Sequence, residues 1–138
     1  MRIEIQLTRE AICTNSARLK LGDADCGALA EFTGVVRREE NGHAIAALEY
    51  EAYDEMALRV MRQICESLEA NHSCEAVVII HRLGIIPVGE AAIYVCAAAK
   101  HRAGAFALLT GFMDRLKQDV PIWKRRALTA GELQLKLA

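Results

Sequence analysis

The sequence has almost no net charge, with 17 lysines and arginines against 18 aspartates and glutamates and a formal balance of −1. That excludes a surface that attracts nucleic acid everywhere, so any basic site must be made by local clustering. It also lacks a long apolar run. The most apolar stretch, Ala91–Ala99, is far shorter than the ~20 residues needed to span a bilayer. The first ten residues, MRIEIQLTRE, carry charges where a secretory signal would be apolar. The five cysteines, Cys13, Cys26, Cys65, Cys74 and Cys96, are odd in number and contain no Cys-x-x-Cys pair. This speaks against zinc and thioredoxin-type chemistry and for buried thiols in a reducing compartment, so a cytosolic protein is expected. Proline occurs only twice, and no repeat, linker or low-complexity segment interrupts the chain.

What is present is an ordinary globular composition, 53% apolar and 25% charged over 138 residues. One domain covering 1–138 is expected, burying roughly 68–70% of its unfolded surface. Alternation of polar and apolar residues predicts a strand over 2–7. A short helix over 9–21, closed by Gly22, and a loop over 22–27 follow. Residues 28–36 read as a strand interrupted at Gly34, where a bulge or a close backbone approach is expected. Residues 37–42 form a charged turn and 45–53 a further strand, which could make a hairpin with 28–36. Ala57, Val60, Met61, Ile64, Cys65 and Leu68 fall on one stripe of a helix over 54–71, with Asp54 as N-cap. Strands over 75–82 and 91–99 flank a turn-rich connection. A second long helix covers 102–118, ended by Pro121. Its Gly104 and Gly111 lie two turns apart and predict close packing against a neighbouring backbone. The tail, 131–138, alternates Leu133, Leu135 and Leu137 and reads as a last strand. Together these elements predict an α+β fold with mixed or antiparallel sheets and two long helices.

The basic residues cluster around the second helix. Lys100-His101-Arg102 stands at its start, where free backbone N–H groups and the helix dipole favour an anion. Lys117 lies in its last turn, and Trp123-Lys124-Arg125-Arg126 follows Pro121 in an expected loop. Arg37 and Arg38 sit at the mouth of the expected hairpin and could clamp a phosphate through their guanidinium groups. His81-Arg82 ends a buried strand, where a structural role is the better reading. His101 and Lys117 are sixteen positions apart on one helix, so their backbones stand about 24 Å apart. A small pocket within one chain can hardly use both. Either there are two sites, or a second copy brings its helix start to the first copy's helix end in a symmetric dimer.

The motifs FTGVVR (32–37), LEYEAY (48–53), HRLG (81–84), VGE (88–90), HRAGAF (101–106) and Lys117 through PIWK (121–124) resemble, in order, those of the molybdopterin synthase large (catalytic) subunit family. The resemblance covers about residues 25 to 126. It implies an α/β-hammerhead fold and a homodimer flanked by two small ubiquitin-like subunits, a heterotetramer. Each small subunit inserts a C-terminal Gly-Gly tail carrying a thiocarboxylate into a large-subunit pocket. Two sulfurs pass to cyclic pyranopterin monophosphate to form the dithiolene of molybdopterin, a step of molybdenum cofactor biosynthesis. No metal or dissociable cofactor is implied. By position, Arg37, His101, Arg102, Lys117 and Lys124 match the family's pocket residues. Lys117 and Lys124 are the implied catalytic groups, suited to proton transfer and charge stabilisation. Arg37 and Arg102 suit the substrate phosphate and the donor's carboxyl terminus.

The chain departs from the family pattern in three places. Arg126 stands where an acidic residue is common, and it is expected to join the substrate-binding set. Lys100 adds a charge where a small residue is usual. The longer, partly basic tail of the family is shortened to GELQLKLA. These departures motivate an alternative, a diverged non-catalytic paralogue that binds a ubiquitin-like partner as a dimer. A weaker one is a phosphate-ester enzyme working from the His101 helix start within a single chain.

Overall fold

The two most apolar runs become the inner strands of one sheet, because only strands covered on both faces can bury every residue. In the computed structural model, which describes residues 1–19, 21 and 25–137, these are β6 (Ala76–Arg82) and β8 (Ala91–Ala99). β1 (Arg2–Thr8) pairs parallel with β6, and β2 (Ala28–Val35) pairs antiparallel with β8, giving the order β1-β6-β8-β2. One face packs under α2 (Asp54–Glu69) and α3 (Arg102–Asp119), with Met61, Ile64, Leu108 and Phe112 in the shared core. The other face carries Tyr94, Cys96 and Ala98 against Ala17 of α1 (Thr14–Leu19) and Leu21. A separate antiparallel sheet runs β7-β5-β9, from β7 (Gly84–Pro87), β5 (Ala47–Ala52) and β9 (Ile122–Leu128). The α+β expectation with two long helices therefore holds.

The hairpin expected between 28–36 and 45–53 does not form. β2 continues along β8, and Val36 stays tied to the next turn through Val36 N–H to the Glu90 carbonyl and Gly89 N–H to the Val36 carbonyl. The intervening residues instead close a small hairpin of their own, β3 (Glu39–Glu40) with β4 (His43–Ala44). Asn41 and Gly42 at its tip have φ of 53° and 78°, the left-handed values that an Asn-Gly turn supplies. β5 then enters the other sheet. The connection 83–90 contains β7, and the loop expected at Lys124–Arg126 is part of β9. α2 begins with Asp54 as its first helical residue, and Tyr53 occupies the N-cap position without a side-chain cap. The helix expected over 9–21 is confined to Thr14–Leu19, and its closure at Gly22, with most of the loop 22–27, lies outside the described residues.

The tail is a helix, α4 (Ala130–Leu137), not a strand. Thr129 Oγ1 accepts from Glu132 N–H at 3.3 Å, and Glu132 Oε1 accepts from Thr129 N–H at 3.2 Å. That reciprocal pair is a capping box, and it outweighs the period-two leucines because no residue of α4 is buried. Replacing Thr129 by alanine should cost the helix about 1 kcal/mol. Amide hydrogen exchange over 132–137 should accelerate while the global unfolding midpoint stays put.

The glycines of α3 pack closely, as their spacing suggested. A Cβ on Gly104 would lie 2.1 Å from the Ser73 carbonyl oxygen, whereas one on Gly111 would meet the Leu68 side chain at 2.8 Å. Only the first neighbour is backbone.

Candidate active site

β2 ends in a bulge that turns the chain toward the second sheet. The register against β8 shifts between Gly34 and Val35, and a Cβ on Gly34 would stand 2.8 Å from Ile93 Cγ2. A side chain there would force Ile93 to shift. Beyond it Val36 is buried and Arg37 is delivered to the rim of a cavity of about 650 Å³, a volume in the range of small-molecule sites. The end of α3 supplies Met113, Leu116 and Lys117. β5 supplies Leu48 and Tyr50, and β9 supplies Ile122, Trp123 and Lys124. Trp123 is 37% exposed, its ring leans on Tyr53 at 5.0 Å, and it forms a wall of the cavity.

Arg37, Lys117 and Lys124 thus share one cavity, although they come from three elements. Arg37 and Lys117 form no ion pair among the described residues. Lys124 Nζ donates to both carboxylate oxygens of Glu40, at 3.2 and 3.3 Å. Three cations against one carboxylate leave the lining net positive, which suits an anionic ligand.

Lys124 and Arg126 point to opposite faces of β9. Tyr50 pairs with Lys124 and Glu49 with Arg126, so two adjacent residues of β5 oppose residues two apart on β9. This bulge at Arg125 breaks the alternation that would otherwise place both side chains on one face. Tyr50 and Lys124 face the cavity. Arg126 Nε donates to Glu49 at 2.7 Å and Arg125 Nη1 to Glu51 at 2.9 Å on the other face. Within one chain Arg126 does not line the cavity.

Lys100, His101 and Arg102 are exposed at the far end of α3. They line no part of the cavity and form no ion pair among the described residues. His101 is the N-cap of α3 without a side-chain cap bond, which leaves its ring free. The ~24 Å separation expected along the helix is therefore kept. Arg38 also stays outside the lining.

Three cavity residues escaped the sequence reading: Glu40, Tyr50 and His81. Glu40 looked like part of a solvated turn, and only the Asn-Gly tip could have shown that a hairpin folds it back. Arg82 fits its structural reading. Its Nη1 donates to Glu90 at 2.7 Å and its Nη2 to the Ile85 carbonyl at 3.5 Å. Cys65, Cys74 and Cys96 are buried as expected, whereas Cys13 is exposed and Cys26 half-buried; none of the five is in a disulfide and none lines the cavity. Burial pushes the Cys65 thiol up to about 12 and raises those of Cys74 and Cys96, so these three are not nucleophiles at neutral pH. Among the described residues no helix is long and apolar enough to cross a membrane.

A family model described as "MoaE protein" matches residues 7–119. The molybdopterin synthase catalytic subunit of Drosophila virilis is 42% identical over 122 residues, which is 88% of this chain and 35% of that protein. The corresponding subunit of Bacillus subtilis strain 168 is 35% identical over 127 residues, 92% of this chain and 81% of that protein. The crystal structure of molybdopterin synthase from Staphylococcus aureus aligns with a TM-score of 0.81 at 31% identity, covering 86% of each chain. The chain spans only about a third of the length of the first Drosophila relatives it matches.

Proposed function

The chain belongs to the MoaE protein family, and on that footing we propose that it is the catalytic subunit of a molybdopterin synthase. It takes sulfur from the thiocarboxylated Gly-Gly tail of a small ubiquitin-like subunit and places it on cyclic pyranopterin monophosphate. The observation that carries this reading is the convergence of Arg37, Lys117 and Lys124 on one cavity with only Glu40 to balance them. Both proposed ligands are anions, one a phosphate and the other a thiocarboxylate. Arg37 can grip phosphate through its forked guanidinium. Lys117 stabilises the negative charge that develops as sulfur adds to the substrate and as water then cleaves the resulting thioester, which leaves sulfur on the substrate and frees the carrier as a carboxylate, and it supplies or removes a proton. Lys124 does the same once an anion competes with Glu40 for its ammonium group.

One chain provides half of the site. His101 and Arg102 are too far along α3 to reach the same cavity, so a second copy supplies them, its helix start facing the first copy's helix end. Two copies related by a twofold axis make two such sites, each served by one small subunit. A non-catalytic paralogue draws its main support from Arg126, and the Glu49 pairing weakens that support. The reversed charge is neutralised on the face of β9 away from the cavity.

The test is reconstitution. Purified chain, thiocarboxylated small subunit and cyclic pyranopterin monophosphate should yield a dithiolene product, and omission of any one should abolish it. Binding of the small subunit without product would instead support the non-catalytic reading.

A further inference from the structure

The cavity holds one polar group to which the proposed chemistry gives no task. His81, on β6, is 5% exposed and is the buried polar side chain of the cavity lining. Its surroundings define its state. Nδ1 lies 2.8 Å from the Arg82 carbonyl oxygen, which can only accept, so Nδ1 carries the proton. Burial disfavours the charged ring and lowers its pKa. At neutral pH the imidazole is therefore uncharged, and Nε2 is a bare acceptor. No group among the described residues donates to it. The Tyr50 ring stands edge-on at 5.2 Å and 65°, which fixes the plane of the imidazole.

His81 lines the cavity, so a ligand that enters it and brings an N–H can pair with Nε2. The charged groups that share the cavity are Arg37, Glu40, Lys117 and Lys124. Three of the four are cations, so they admit an anionic ligand and repel a metal ion or a cationic one. We propose that His81 is a substrate-binding residue of this cavity, its Nε2 accepting a hydrogen bond from an N–H of the bound ligand. The inference rests on the proposed function. An N–H donor could come from the nitrogen heterocycle of the small substrate or from a peptide N–H of the carrier's glycine tail.

The experiment uses His81→Phe, which keeps a ring against Tyr50 but has no acceptor, and His81→Gln, which restores one. KM is measured separately for the pterin substrate and for the thiocarboxylated carrier, from pH 5.5 to 8, beside thermal unfolding. For His81→Phe, KM for one of the two should rise about tenfold, the loss of one hydrogen bond to a neutral group, with kcat within about twofold. Whichever KM rises identifies the source of the N–H. His81→Gln should recover most of the loss. In the wild type the same KM should climb as pH falls and Nε2 becomes protonated, and this rise should vanish in both variants. Any pH dependence that comes from Arg37, Glu40, Lys117 or Lys124 persists in the variants.

Wild-type KM values in His81→Phe overturn the inference. So does an equal loss in both variants that tracks a lowered unfolding midpoint, because that is a purely structural histidine. If His81→Phe does not fold, the acid rise in KM persisting in His81→Gln overturns it. A wild-type chain that makes no product refutes the proposed function instead. Equilibrium titration of the pterin substrate and of the carrier against wild type and variants then still decides the role of His81.

Discussion

Lys117→Ala should slow dithiolene formation by about 10²- to 10⁴-fold, the range for loss of a positioned proton-transfer group. The protein should meanwhile unfold almost where the wild type does. Lys117 is exposed in the last turn of α3 and forms no ion pair among the described residues. Its only stabilising role is the attraction between a cation and the helix C-terminus, about 0.3–1 kcal/mol. Initial rates of product formation and thermal unfolding, measured on the same preparation, check both parts. Lys117→Arg should recover little activity. It keeps the charge, but a guanidinium does not give up its proton near neutral pH. A variant at half the wild-type rate would remove Lys117 from the chemistry.

The largest effect on stability should come from Gly104→Ala. The added methyl would sit 2.1 Å from the Ser73 carbonyl oxygen and 3.1 Å from its carbon, and neither can rotate away. Alanine gains about 1 kcal/mol of helix propensity, but the start of α3 must move off the turn before β6. A net loss of about 2–3 kcal/mol is expected, near the upper range for overpacking. Gly111→Ala is the internal control. It gains the same propensity and meets only the end of the Leu68 side chain at 2.8 Å, which can change rotamer. Its net effect should be within about 1 kcal/mol of zero. Denaturant unfolding of the two variants separates a backbone collision from a side-chain one. Gly104→Ala also displaces His101 and Arg102, so activity should fall by more than the stability loss explains.

The elements legible in the sequence were those with a long, consistent period. α2 and α3 show a stripe at helical spacing, and β6 as far as Ile80 and β8 throughout are apolar because both faces are covered. The elements that were missed have no buried face to set a pattern. Lys124-Arg125-Arg126 looked like a loop because the outer face of β9 is charged to match Glu49 and Glu51, and because its bulge spoils the alternation. α4 buries nothing, so its leucines carried no usable period, while the Thr129–Glu132 capping box was there to be read. Strand pairing was harder still. Nothing local says that β2 turns along β8, a partner sixty residues away, when a neighbouring strand is available.

The site divides in the same way. Resemblance pointed to Arg37, Lys117 and Lys124, and helix length separated His101 from Lys117 before any coordinates. Glu40, Tyr50 and His81 depend on how the two sheets meet, which single-strand patterns do not encode. Arg126 was expected in the pocket from the family pattern, in which the position two after Lys124 belongs to the site. One inserted residue puts it on the other face, paired with Glu49.

A site completed by a second copy is tested most directly by subunit complementation. A chain carrying His101→Ala and Arg102→Ala is mixed with a chain carrying Lys117→Ala, after mild unfolding and refolding to exchange subunits. Each parent alone should be nearly inactive. Random pairing makes half the dimers mixed, and each mixed dimer has one intact site of two, so the mixture should recover about a quarter of wild-type activity. A mixture no more active than its parents, with mixed dimers verified by mass, would show that His101, Arg102 and Lys117 do not meet across an interface and would contradict the account.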